Sequence, residues 1–239
     1  MIFDTRPSTW TELQDYVEQM FNECGFETES PHTVKLVRGQ KEVDVYAKDI
    51  ESEYQPVVFV ECKYWNSPIP QDTIHSFRTV MADGGANLGF IVSKIGFQKG
   101  AYEAVEKTNI RLVTFEELEQ VYYRRWLKNI PKKYMEIADK LFPYWDPSGG
   151  KLPADGGKIS WETEQLLHQA YKPSCSIGPW DLLGNNSMER ELPLTIPIVN
   201  DELQQTGTKI INTYREYFEE CEATKERALF HFKKLYREG

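Results

Sequence analysis

The chain has 239 residues, 40% hydrophobic and 27% charged, the balance of an ordinary globular protein, and no stretch nears the roughly 18 apolar residues of a membrane span. Met1-Ile2-Phe3-Asp4-Thr5-Arg6-Pro7 lacks the order of a secretory leader, and Cys24, Cys62, Cys175 and Cys221 are scattered without C-x-x-C spacing, which argues against a zinc site or a disulfide framework and points to the cytoplasm. The net charge of −9 is uneven, with 11 Lys and Arg against 19 Asp and Glu in residues 1–118 and 17 against 18 in residues 119–239; phosphate binding needs cations, so the acidic half is no simple non-specific nucleic-acid binder.

The first predicted element is a helix. Thr9 caps it and Glu12, three residues on, completes a capping box. Leu13, Tyr16, Val17, Met20 and Phe21 recur at helical spacing, and Gly25 ends the helix. Two alternating segments follow, Thr33 to Val37 and Glu42 to Ala47, joined by a turn at Arg38 to Lys41. Val43, Val45 and Ala47 share one face of the second, and Glu42, Asp44 and Tyr46 the other. After a polar loop from Asp49 to Pro56, Val57 to Val60 reads as a buried strand running into Glu61-Cys62-Lys63. Pro68 and Pro70 break the chain. Gln71 to Met81 suits a helix, Leu88 to Ser93 a strand, Gly100 to Lys107 a short helix and Ile110 to Thr114 a last strand. Helix, three strands, helix, strand, helix and strand predict an α/β core with a mixed sheet flanked by helices.

The second half is predicted to be mostly helical. Residues 116–142 suit helix with a break or new first turn at Pro131, residues 143–158 a loop, and Ile159 to Tyr171 a helix. Residues 172–200 are punctuated by proline and glycine and read as irregular. Thr206 to Tyr236 reads as one long or two consecutive helices. The expected domains are 1–118 and 119–239.

Strand geometry concentrates the chemistry at Glu61-Cys62-Lys63. Alternate residues of a strand share a face about 6.6–6.8 Å apart, so Glu61 and Lys63 emerge together with Phe59, while Cys62 joins Val58 and Val60 in the core. If the Asp44 strand pairs with this one, Asp44 and Glu61 converge on an oxygen-lined site of the kind Mg²⁺ accepts. Lys63 is then placed to orient a water or stabilise developing charge in phosphodiester hydrolysis. An exposed strand would instead use Glu61 and Lys63 as a solvated ladder. The buried run before them and the helix after them favour the chemical reading.

The order of these pieces resembles the Mrr-type restriction endonuclease domain of the PD-(D/E)XK nuclease superfamily over residues 11–118. The matching segments are Glu12-Leu13-Gln14 with Gly25-Phe26, Arg38-Gly39, Glu42-Val43-Asp44-Val45 and Val60-Glu61-Cys62-Lys63-Tyr64-Trp65. Gly89 to Ser93, Gly96 to Ala101 and Asn109 to Val113 complete them. The resemblance implies a restriction-endonuclease-like fold and a metal-dependent endonuclease. Asp44 would be the motif aspartate and Glu61 with Lys63 the E-x-K pair, using Mg²⁺ or Mn²⁺. The family's first-helix glutamate falls on Gln14, a departure that leaves Glu12 or Glu18 as substitute metal ligands; for Glu12 the capping box competes. Gln71 matches a glutamine that related nucleases place near the scissile phosphate or the water, against the alternative of an ordinary helix-start residue.

Contacts to nucleic acid are expected from Arg78, Lys94 and Lys99, and from Arg124, Arg125 and Lys128 in the densest basic cluster, which continues to Lys132 and Lys133; solvated surface is the competing reading. Tyr64 and Trp65 suit base stacking or packing under the proline loop. The reading is therefore a cytoplasmic endonuclease acting on DNA, homodimeric so as to cut both strands, and the resemblance implies a role in restriction or defence. Two rivals stand beside it. One is an inactive nuclease-fold binding module. The other is an effector nuclease activated by a partner or ligand through the C-terminal region.

Overall fold

The structure, a computed structural model, describes residues 1–37, 39–145, 151–175, 177 and 192–238. It divides into two units, Met1–Trp126 and Leu127–Gly239. Arg38 of the expected turn, residues 146–150 of the expected loop, and residue 176 with 178–191 of the expected irregular stretch, Trp180 included, lie outside the described residues.

In the first unit, α1 (Trp10–Glu23) starts as the sequence dictates, with the Thr9 side chain accepting the Glu12 N–H at 3.1 Å. The strands are β1 (Phe26–Glu29), β2 (His32–Lys35), β3 (Gln40–Val43), β4 (Val45–Asp49) and β5 (Val57–Lys63), and then β6 (Leu88–Ser93) and β7 (Ile110–Thr114). The helices between and after them are α2 (Gln71–Gly84), α3 (Lys99–Val105) and α4 (Phe115–Asn129). The main sheet has the order β1-β4-β5-β6-β7. Its first two pairings are antiparallel and its last two parallel. It is the mixed sheet flanked by helices that the sequence predicts.

Five strands precede α2, not three. Phe26–Glu29 is a strand at the sheet edge, where one side only is paired, and its short Phe-Glu-Thr-Glu run offers little alternation to read. The expected strand from Glu42 to Ala47 is two. β3 pairs with β2 in a separate hairpin closed by the Leu36 N–H to Gly39 carbonyl bond, with Gly39 at a φ of +89° that favours glycine. β4 pairs with β5. The break between them falls on Asp44.

Each sheet face is covered. α1 packs on β1, β4 and β5, burying Leu13, Val17, Met20 and Phe21. On the Phe59 side, α2 buries Ile74, Phe77, Val80 and Met81 in one core with Phe59, Ile91 and Ile110. Contact between α2 and β6 is close at Gly89, where a Cβ would meet Met81 Sδ and Phe77 Cε1 at 2.8 Å. Two polar ties reach far along the chain. Buried Glu119 accepts the N–H groups of Ile2 and Phe3 at 2.9 Å and Arg6 Nη1 at 2.6 Å. Arg125 on α4 donates to both carboxylate oxygens of Asp49 and to the Cys24 carbonyl, and stacks 4.0 Å over Phe26.

The second unit holds a 3₁₀ turn (Ile130–Tyr134), α5 (Met135–Trp145), α6 (Trp161–Ala170), a short α7 (Lys172–Cys175), β8 (Leu194–Val199), β9 (Gln205–Ile211) and α8 (Tyr214–Leu235). Pro131 is the second residue of the 3₁₀ turn, in keeping with the expected break. Pro143 is tolerated inside the last turn of α5, so that helix runs past the start of the expected loop. The helix expected from Thr206 is corrected: Gln205–Ile211 is a strand, its Thr206, Thr208, Ile210 and Ile211 suiting a pleated surface better than a helix. It pairs antiparallel with β8, a strand within the stretch 172–200 that its prolines and glycines make look irregular. Thr213 then caps α8 through the Glu216 N–H at 3.1 Å.

Candidate functional site

β5 is where the sheet changes from antiparallel to parallel pairing, and its C-terminal end carries the candidate site. On one side it continues along β6 to Lys63↔Ser93. On the other, the ladder with β4 ends at Val45↔Val60. One further step of that register sets Asp44 opposite Glu61. The chain bends there, and the Asp44 carboxylate does what a neighbouring strand would have done: Oδ2 accepts the Cys62 N–H at 2.6 Å. The Cys62 carbonyl accepts from Trp10 Nε1 at 3.1 Å. Cys62 itself is buried in the core, as expected, and burial pushes its thiol well up.

The electrostatics of the site follow from two close carboxylates. Burial, together with the charge of Glu61, raises the Asp44 carboxyl to about 6, against the opposing pull of the Cys62 N–H and Lys63. Lys63 Nζ donates to Glu61 Oε1, and both side chains are largely shielded from solvent. The Trp65 ring centroid lies 5.8 Å from Nζ. Glu61, Lys63 and Trp65 line a cleft of about 350 Å³ closed by Lys41 of β3 and by Asp72, Thr73 and Ser76 of α2. Asp44 approaches β5 from the β3–β4 bend and is not among the cleft's lining residues.

The first-helix position is instructive. Buried Gln14 donates from Nε2 to the Asp44 carbonyl at 3.0 Å and to Ser30 Oγ at 2.8 Å. The residue beside Asp44 is therefore an amide. Glu12 turns back to the cap, its Oε2 accepting Ser8 N–H and Oγ–H at 2.7 Å, and those donors hold its carboxyl below the usual range. Glu18 meets Thr28 Oγ1 at 3.4 Å. Among the described residues no group of three or more His, Cys, Asp or Glu can hold a metal ion, so Glu12 and Glu18 do not join Asp44 and Glu61. Two carboxylates remain, one destabilised by the other. Such a pair fits a small hard cation that completes its shell with waters and phosphate oxygens.

The other expected residues disperse. Gln71 begins α2, with its Oε1 lying over Gly100, 2.6 Å from where a Cβ would sit, and it is outside the cleft's lining. Arg78 lines a different cleft with His75, Lys107 and Asn109. Lys94 lies 4.2 Å over the Tyr64 ring and donates to Asn66, and Lys99 is exposed beside Glu103 at 3.8 Å. Arg124 and Lys128 are exposed on α4. The structure commits Arg125 to an internal ion pair, so it is not a free phosphate-binding cation. Sequence reasoning misses Lys41, Asp72 and the Gln14 contact. The helical spacing of Asp72, Thr73 and Ser76 at the start of α2 is the available signal for the cleft wall.

Residues 5–122 match the family model Mrr_cat, described as a restriction endonuclease. No curated protein matches the chain. Among solved structures, it is similar to "Protein of Unknown Function AF1548" at 16% identity, covering 90% of this chain and 96% of that one, with a TM-score of 0.38. It is also similar to "DNA modification-dependent restriction endonuclease AspBHI" at 11% identity, covering 51% of this chain and 38% of that one, with a TM-score of 0.26. At these TM-scores neither neighbour informs the chemistry.

Proposed function

Because residues 5–122 form an Mrr-type restriction endonuclease domain, we propose that the protein is a metal-dependent endonuclease that hydrolyses phosphodiester bonds of DNA, with Asp44, Glu61 and Lys63 at its reacting centre. The observation that carries this reading is the register: one step beyond Val45↔Val60, Asp44 meets the strand that bears Glu61 and Lys63. Asp44 and Glu61 would hold Mg²⁺ or Mn²⁺. Bound there, the ion supplies Lewis-acid stabilisation of phosphate charge and a water of lowered pKa. The Cys62 N–H fixes Asp44 Oδ2 in place and so holds the carboxylate that would bind the ion. Glu61 holds the Lys63 ammonium at the cleft, where it orients the attacking water or meets charge developing on the phosphate oxygens. Trp65 and Lys41 stand at the same cleft to receive the substrate backbone or a base.

Cutting both strands takes two such centres, so the active form in this reading is a homodimer serving restriction or defence in the cytoplasm. Residues 1–118 would be the nuclease domain. Residues 119–239 would supply binding or control, and exposed Arg124 and Lys128 would offset the acidity of the nuclease half. The test is incubation with supercoiled plasmid, linear DNA and RNA in Mg²⁺, Mn²⁺ or EDTA, beside Asp44→Ala and Lys63→Ala. Metal-dependent DNA cleavage lost in both variants is the expected result. Cleavage that persists in either variant refutes the assigned centre.

One observation favours a second reading, an effector nuclease idle until a partner or ligand engages it. Gln14 stands beside Asp44 where a carboxylate would strengthen cation binding. On this reading the isolated protein cuts nothing, and Gln14→Glu raises its apparent Mg²⁺ affinity and its cleavage.

A further inference from the structure

The second unit contains a cleft of about 810 Å³ that nothing in the nuclease reading uses. That volume lies in the range of small-molecule pockets. One face of α6 forms a wall: Trp161, Gln165 and His168 recur at i, i+4 and i+7 and all line the cleft. Such spacing usually buries a helix face against a core. Here Trp161 is 66% exposed, so a large aromatic surface faces the opening. Trp145 faces His168 edge-on with ring centroids 4.7 Å apart, and Tyr144 and Tyr236 complete the aromatic lining.

The polar groups around these rings fall into two sets. One set is satisfied within the protein. Lys151 pairs with Glu238, Tyr236 Oη donates to Glu164 at 2.6 Å, and His168 Nε2 meets the Tyr144 carbonyl at 3.0 Å. The other set has no side-chain partner among the described residues: the Lys158 ammonium, the Gln165 amide and the Trp161 indole N–H. Exposed aromatic faces stack on bases, an amide presents a donor and an acceptor to a base edge, and an unpaired ammonium receives a phosphate.

We propose that this cleft is a nucleotide-binding site, with Trp161 stacking on the base, Gln165 reading its edge and Lys158 holding the phosphate. The base arrives either on a free nucleotide or on an unpaired nucleic-acid strand; the chemistry recognised is the same. The site is independent of the metal-binding carboxylates and works in EDTA.

The test is titration calorimetry on the full chain in EDTA, with the four deoxynucleoside monophosphates, the matching nucleosides, and a short single strand. At least one nucleotide or the strand binds saturably, and a nucleotide binds more tightly than its nucleoside. Trp161→Ala weakens binding by about tenfold or more, the size of one lost base stack. Lys158→Glu removes the advantage of nucleotide over nucleoside. Both residues are exposed, and thermal unfolding checks that the variants fold. A mononucleotide that binds as tightly as the strand identifies a free nucleotide as the ligand; a strand that binds more tightly identifies nucleic acid. Absence of saturable binding, or binding that Trp161→Ala leaves unchanged, overturns the proposal. Loss of DNA cleavage in the Asp44 or Lys63 variants with this binding intact separates the two sites.

Discussion

β4 ends on one aspartate and is preceded by another, and the two live in opposite electrostatic worlds. At its far end Asp49 is nearly buried against Arg125, whose guanidinium holds the carboxyl below its usual range. Just before its start, Asp44 sits in partial burial opposite Glu61 and is pushed up to about 6. The first is a satisfied structural ion pair with geometry on every oxygen. The second is a charge the fold tolerates at a cost and that a cation would relieve. A raised carboxylate pKa with a like charge beside it is the usual mark of a working site, whereas a lowered one beside arginine is the usual mark of architecture.

The sharpest way to test that contrast is to remove one member of each cluster. Lys63→Ala should reduce DNA cleavage by about 10²–10³-fold, the usual loss of one positioned charge donor, while the urea midpoint stays close to wild type. Arg125→Ala should do the reverse. It strands Asp49 in a largely buried position, and unfolding titrations should show a loss of about 3 kcal/mol, with cleavage by the remaining folded protein retained. A cleavage loss in Arg125→Ala that exceeds its unfolded fraction would break the division between the two ends.

Asp44→Asn sharpens it further. The Asn side chain still accepts the Cys62 N–H but removes repulsion with Glu61. Stability at pH 7 should rise by roughly 1–2 kcal/mol while cleavage is lost, since each pKa unit carries about 1.4 kcal/mol. The sign is fixed by linkage: the folded carboxyl at about 6 binds its proton more tightly than an unfolded aspartate. Wild type therefore gains stability from this group as pH falls from about 6 towards 4, and Asp44→Asn abolishes that gain. Asp49 works oppositely, its contribution being present above the unfolded pKa and lost as pH falls through its lowered folded value. Smallest of all, Glu12→Ala loosens the start of α1 by removing the acceptor of the Ser8 N–H and hydroxyl; the thermal midpoint should fall slightly and the metal dependence of cleavage stay unchanged.

Local chemistry is legible in the sequence. The capping box, the buried run into Glu61-Cys62-Lys63 and the alternation that sends Cys62 inward all rest on neighbours within a few residues, and the structure shows each. What the sequence hides is long-range or geometric. Nothing near Arg125 hints that its partner is 76 residues away, or near Glu119 that it holds the chain's second and third amides. The alternation from Glu42 to Ala47 is real, yet it runs through a bend, because β3 and β4 obey the same periodicity while pairing with different strands. The Thr-Gly-Thr-Lys-Ile-Ile run of β9 merges in the sequence with the long helix that follows, since an amphipathic helix and a short strand look alike at their junction. The Gln14 contact to the Asp44 carbonyl depends on side-chain direction in three dimensions, and only the spacing to Gly25 points to that position.

The Cys62 peptide is gripped on both sides, its amide by Asp44 and its carbonyl by Trp10. That makes the amide proton a spectroscopic gauge embedded in the proposed reaction centre. Its resonance should move as the carboxylate it touches gains or loses a proton near pH 6, and move again when a divalent ion draws charge from that carboxylate. Its slow exchange with deuterium should depend on a side chain, not on a ladder partner. A heteronuclear titration of one backbone signal would thus follow protonation and ion binding at the centre without any substrate present.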